Sequence, residues 1–193
     1  MRGRRLTVAT RWGEAEVAAL LVQHGADPTA VTAADDALGF FLSGAADTTP
    51  PVAGIDLDEL VLMAVQGGHT TTVERLLDAG AHVDGAPRGE EVPLGHAAWR
   101  GYPALVALLV ARGARLTFDD GGSAVGAALH GSRNCQHPEG GPTMQTVGEI
   151  PRGPYARIVR LLLNAGAPIP ERRWGDAPPP GEMVDELLRE SDA

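Results

Sequence analysis

Apolar residues recur along this chain at the i, i+3, i+4 spacing of an α-helix that buries one face. The spacing is clearest ahead of Gly113, where apolar residues stand eight, seven, four and three positions before the glycine: Leu105, Val106, Leu109 and Val110. Four such segments end in a Gly-Ala pair, at Gly25-Ala26, Gly80-Ala81, Gly113-Ala114 and Gly166-Ala167. A glycine here is typical of a left-handed helix C-cap, so the pattern predicts four helices that end at these pairs.

A second, shorter helix is predicted ahead of each of these. In three of the four segments another glycine stands 12 residues before the capping glycine, at Gly13, Gly68 and Gly101. The stretch before Gly101 is rich in small residues, with Pro93 where a first helical turn tolerates proline and with Ala97 and Ala98. The chain is therefore predicted to contain four helix pairs, and the interval from Gly80 to Gly113 gives a period of 33 residues.

These features together resemble the ankyrin repeat, which has a 33-residue period, a Thr-Pro-Leu-His-x-Ala opening and a closing Leu-Leu-x-x-Gly-Ala motif. The resemblance covers about residues 4–30, 57–84, 91–117 and 122–170, and the Pro-Leu opening occurs only in the third of these segments. It implies an all-α solenoid of about four helix-turn-helix repeats with short hairpin-like loops, in a single domain over residues 1–193.

Two intervals between capping glycines exceed the period and predict insertions. The first insertion, at about residues 31–56, includes a predicted helix near residues 32–43 with Thr32 as its N-cap. The second, at about residues 131–154, has Gly, Pro, Asn and Ser with little periodicity, which predicts a long loop between two helices of one repeat. A final amphipathic segment at about residues 180–191 predicts a C-terminal capping helix.

The composition fits this architecture and argues against several classes of function. The 193 residues are 44% hydrophobic, 21% charged and only 4% aromatic, which favours a globular core of Ala, Leu and Val. The net charge of −9 argues against a nucleic-acid partner. The longest apolar run, at about residues 104–111, is far shorter than the roughly 20 residues of a membrane span. The single cysteine, Cys135, and the lack of a signal-peptide pattern favour a cytoplasmic protein.

Residue types that carry chemistry are sparse. His130, Cys135 and His137 are the one cluster of metal-ligand types, but a structural zinc site usually needs four ligands at other spacings. Neither a G-x-S-x-G elbow nor a phosphate-binding glycine motif is present. We therefore expect no enzyme and no cofactor, with a metal- or thiol-dependent site in the loop at 131–154 as one alternative. A subunit of a larger assembly is another.

The resemblance implies noncatalytic binding of another protein, by a monomer or a weak oligomer. Ankyrin-repeat proteins contact partners through exposed ends of their first helices and through loop tips on the concave side. At helix ends the corresponding residues are Arg11, Trp12, Gln66, Trp99, Arg100 and His130, and at loop tips they are Asp56, Asp58, Arg88, Glu91, Asp119 and Asp120. Trp and Arg are enriched among interface hot spots, although Trp12 and Trp99 also fit as core residues.

Overall fold

A computed structural model of the chain describes residues 57–85, 92–119, 121–134, 152–172 and 177–191. Within these ranges every regular element is an α-helix, which confirms the all-α prediction for this part of the chain. The chain divides into two compact units, Met1–His82 and Val83–Ala193, and each is taken by itself below. The first predicted repeat and the predicted helix near residues 32–43 lie outside the described residues.

The first unit contains one described helix pair. Helix α1 (Leu57–Gln66) packs against helix α2 (Thr70–Asp78), and the two meet at Gly68. Apolar side chains from both helices are fully buried, namely Leu60, Val61, Ala64 and Val65 from α1 and Val73 and Leu76 from α2. This is the amphipathic spacing that the sequence predicts for a helix pair.

The second unit contains two helix pairs that pack side by side. The first is α3 (Pro93–Arg100) with α4 (Pro103–Ala111), and the second is α5 (Ala124–Asn134) with α6 (Arg152–Asn164). Between the pairs, α3 packs against α5 and α4 packs against α6. The first helices of the two pairs are therefore neighbours, and so are the second helices.

In the described helix pairs, the recurring Gly-Ala pair and the leucine four residues before its glycine form the C-terminal end of the second helix. After α4, the amide of Gly113 (φ 84°) donates to the carbonyl of Val110 at 3.0 Å and the amide of Ala114 donates to that of Leu109 at 3.0 Å. This pair of bonds is a Schellman motif, in which a left-handed glycine turns the chain back on the last carbonyls of the helix. The same two bonds follow α2, at Gly80 and Ala81, and α6, at Gly166 and Ala167.

Helix α5 is longer than the sequence predicts. The loop predicted at 131–154 was wrong at both boundaries, because α5 continues to Asn134 and α6 already begins at Arg152. Gly131 does not end its helix. A Cβ atom built on it would lie 2.1 Å from the backbone oxygen of Trp99, so glycine here permits close approach of α3 and α5.

The predicted C-terminal helix is present as α7 (Pro180–Ser191), and it packs against α6 and α5. Its apolar stripe is buried, with Met183, Val184 and Leu187 at most 5% exposed. Polar contacts also hold it to α6, because Arg152 Nη1 lies 2.8 Å from a Glu186 carboxylate oxygen and 2.9 Å from one of Glu190. Helix α7 therefore covers part of the second helix pair.

Candidate partner-binding surface

The structure describes half of the residues that the sequence proposes as partner contacts. Six lie outside the described residues: Arg11, Trp12, Asp56, Arg88, Glu91 and Asp120. The other six are Asp58 and Gln66 in the first unit, and Trp99, Arg100, Asp119 and His130 in the second.

In the first unit, Asp58 differs from its prediction as a loop-tip residue. It is the second residue of α1 and is half-buried, and its carboxylate Oδ1 accepts the backbone N–H of His82 at 2.5 Å. An aspartate in a first helical turn is favourable beside the exposed N–H groups of the helix, so this position has a local structural role. Gln66 is the last residue of α1 and is half-buried.

At the end of α3, Trp99 and Arg100 have different environments. Trp99 is half-buried, and its ring lies 6.0 Å from that of His96 at an interplanar angle of 57°. Arg100 is only 6% exposed, and its guanidinium lies 6.0 Å from the centre of the Tyr102 ring. Successive residues on a helix point about 100° apart, so both side chains cannot face the same way. The prediction that Arg100 is an exposed contact residue is therefore wrong.

The backbone carbonyl of Trp99 is the meeting point of three helices. In a continuing helix this carbonyl would accept the N–H of the residue four positions later, but that residue is Pro103, which has no N–H. The neighbouring N–H of Tyr102 donates to the carbonyl of Ala97 and not to that of Trp99. The carbonyl of Trp99 accepts a bond from the hydroxyl of Tyr155, in α6, at 3.0 Å.

Two glycines make this arrangement sterically feasible. A Cβ atom on Gly101 would lie 3.0 Å from the Tyr155 ring, and one on Gly131 would overlap the Trp99 carbonyl itself. We call Trp99, Gly101, Gly131 and Tyr155 the Trp99 junction.

Residues 115–119 and 121–123, here called the finger, pair with each other and lead into α5. An antiparallel bridge joins Thr117 to Ser123, and the amide of Phe118 donates to the carbonyl of Gly122 at 2.8 Å. The ring of Phe118 lies over Gly95 of α3, where an added Cβ would be only 3.0 Å away. Ser123 Oγ then caps α5 by accepting the N–H of Gly126 at 3.1 Å. The finger is thus packed against α3 and continuous with α5.

Arg115, at the start of the finger, forms ion pairs with Asp84 and with the exposed Asp119. Arg115 donates from its amide to Asp84 Oδ1 at 2.9 Å and from Nε to Asp84 Oδ2 at 3.1 Å. Its Nη1 also lies 3.2 Å from Asp119, whose side chain is 91% exposed. The hydrogen bond and charge of Asp119, followed by the charge of Asp84, raise the pKa of Arg115. The predicted loop-tip position of Asp119 agrees with its exposure.

His130 was predicted at the end of its helix, but it lies inside α5, four residues before Asn134, because the helix continues past Gly131. It is exposed and directly precedes Gly131, so it lies close to the end of α3. We use the name α3–α5 surface for His96 and Trp99 of α3 together with the exposed Asp119 of the finger and His130 of α5, two segments that pack against α3. Sequence reasoning missed His96 and Phe118, although the i, i+3 spacing of His96 and Trp99 is a signal that they share a helix face.

The described part of the chain offers no support for a metal centre. No group of three or more His, Cys, Asp or Glu side chains that could hold a metal ion is present within it. Cys135 and His137, which carry the metal or thiol alternative, lie outside the described residues. Among the described helices, none is both long enough and apolar enough to cross a lipid bilayer.

Neither the models of protein families nor the curated proteins give a match to this chain.

Proposed function

We propose that this chain is an ankyrin-type repeat solenoid that binds another protein, without catalysis, through its α3–α5 surface. The observation that carries the proposal is the packing of two successive helix pairs, first helix on first helix and second on second. That order of packing, repeated with the same glycine helix ends, is expected of stacked repeats and of a row of exposed first-helix residues.

The chemistry of the α3–α5 surface favours a protein partner. A half-buried Trp99 supported by the His96 ring offers a large apolar area with little side-chain entropy left to lose. The exposed Asp119 and His130, on the finger and on α5, add polar side chains on segments that pack against α3. Aromatic anchors within a polar rim are typical of protein interfaces.

Site-directed photo-cross-linking in the source cells tests the proposal. A photoreactive residue replaces His130 on the α3–α5 surface, and a matched variant carries it at Arg157, an exposed residue of α6. Both positions are exposed and helical, so they differ mainly in the surface that they sample. We expect a discrete cross-linked adduct from position 130 and none of the same mass from position 157.

A second variant links the adduct to the tryptophan. Trp99→Ala in the position-130 background is expected to lower the yield of the adduct about tenfold or more, because removing a hot-spot residue weakens binding by roughly 2 kcal/mol or more. Far-ultraviolet circular dichroism checks that the helices remain. Equal adducts from positions 130 and 157, or a full yield with Trp99→Ala, would contradict the proposal.

A further inference from the structure

We propose that Tyr155 is a positioning residue that fixes Trp99 on the α3–α5 surface through the backbone carbonyl of the tryptophan. Tyr155 is fully buried in α6, so it cannot itself touch a partner. Its hydroxyl lies 3.0 Å from the carbonyl oxygen of Trp99, in a different helix pair. The proposal rests on the proposed function, because it assigns to Tyr155 a role in presenting a contact residue.

The bond matters because the carbonyl of Trp99 has no helical donor, since the residue four positions later is Pro103. The helix has eight residues, and Trp99 lies in its last turn. Helices of this length are marginal by themselves, and their last carbonyls need partners from outside the helix. The two amides that turn the chain at Gly101 and Tyr102 bond to Ala98 and Ala97, while the carbonyl of Trp99 is met by Tyr155. Loss of the hydroxyl leaves this acceptor without its donor, and the turn must open to reach water.

The effect reaches the indole ring through the same helical turn. His96 and Trp99 are three residues apart, and their rings are in contact at 6.0 Å only while that turn is helical. Opening of the turn separates the two rings and moves the indole into solvent. The Tyr155 hydroxyl in α6 thereby determines how His96 and Trp99 are arranged on α3.

Fluorescence of Trp99 tests this without any partner. The chain has three tryptophans, so Trp12→Phe with Trp174→Phe leaves Trp99 as the single reporter. In that background Tyr155→Phe is compared with Tyr102→Phe, which removes the only other tyrosine hydroxyl and leaves the donor to Trp99 in place. We expect quenching by acrylamide to rise with Tyr155→Phe and to stay at the parent value with Tyr102→Phe.

Amide hydrogen exchange gives a second, local readout. Tyr155→Phe is expected to lower the protection of the Gly101 and Tyr102 amides about fivefold or more, which is the scale of one lost buried hydrogen bond. The amides of Gly113 and Ala114, at the end of α4 in the same compact unit, serve as the internal control and should keep their protection. A loss of stability of the whole unit would lower both sets together.

The results distinguish the positioning role of Tyr155 from the proposed binding function. Unchanged quenching and unchanged amide protection with Tyr155→Phe would overturn the positioning role, and so would an equal rise with Tyr102→Phe. Should Tyr155→Phe melt too early for the measurement, the comparison is repeated with Gly153→Ala added, since a Cβ there meets nothing within 4 Å. Failure of cross-linking at position 130 would refute the binding function and leave this result standing.

Discussion

Replacing Gly131 with alanine tests how closely α3 and α5 approach each other. The added Cβ would lie 2.1 Å from the backbone oxygen of Trp99, 2.8 Å from its carbonyl carbon and 2.9 Å from its Cα. Carbon and oxygen atoms in the closest common contacts are about 3.3 Å apart, so the two helices must separate by roughly 1 Å. The atoms in the way are backbone, so no side-chain rotation relieves the overlap.

The expected loss of stability follows from two effects and one offset. Overpacking at a tight contact costs about 1–3 kcal/mol. Moving the Trp99 carbonyl also breaks its bond to Tyr155, which adds about 1–3 kcal/mol for a partly buried acceptor left without a donor. The higher helix propensity of alanine offsets about 1 kcal/mol of this loss of stability. We therefore expect Gly131→Ala to lower the free energy of unfolding by about 1–5 kcal/mol, a substantial part of the total for a typical domain.

Urea denaturation followed by circular dichroism measures this change, with Gly153→Ala as the matched control. Gly153 also lies in a helix, but a Cβ there meets nothing within 4 Å. The control should be neutral or more stable by up to about 1 kcal/mol, whereas Gly131→Ala should lower the urea midpoint by about 0.5 M or more. Equal midpoints for the two variants would refute the close packing of α3 on α5.

Three further predictions concern single local interactions. Gly113→Ala should cost about 1–2 kcal/mol by urea denaturation, since its Cβ meets no atom but its φ is 84°; no loss would contradict the left-handed helix end. Ser123→Ala should cost about 1 kcal/mol, and Ser123→Thr, which keeps a neutral capping hydroxyl at this buried position, should cost less; an equal loss with both would contradict the capping role. The hydrogen bond from Arg152 lowers the pKa of Glu186, so its stabilisation is present above the unfolded pKa of about 4.3 and is lost as pH falls through the lowered folded value. Glu186→Gln should therefore cost about 0.2–1 kcal/mol near pH 7, because the pair is partly exposed, and nothing near pH 2; an equal effect at both pH values would contradict the ion pair.

Local sequence signals were enough for several features of the fold. The ends of α2, α4 and α6 follow from a glycine that can adopt positive φ beside a leucine that the helix buries. Helix α7 follows from its own apolar stripe, with Met183, Val184 and Leu187 on one side. Such features depend on backbone preferences and on the 3.6-residue period, which nearby residues set among themselves.

Positions defined by a neighbouring helix were the ones that sequence reasoning missed. Gly131 is the same residue type as the capping glycines, yet it lies inside a helix, where the backbone of Trp99 occupies the space that a Cβ would fill. Arg100 has the residue type of a contact residue, yet it is buried beside Tyr102. The sequence by itself determined where most of these helices end and which faces are apolar, because both are properties of a short stretch of chain. Only the tertiary structure decided that Gly131 allows two helices to pack closely and that Arg100 is buried while the adjacent Trp99 is partly exposed. Both depend on atoms that are distant in sequence.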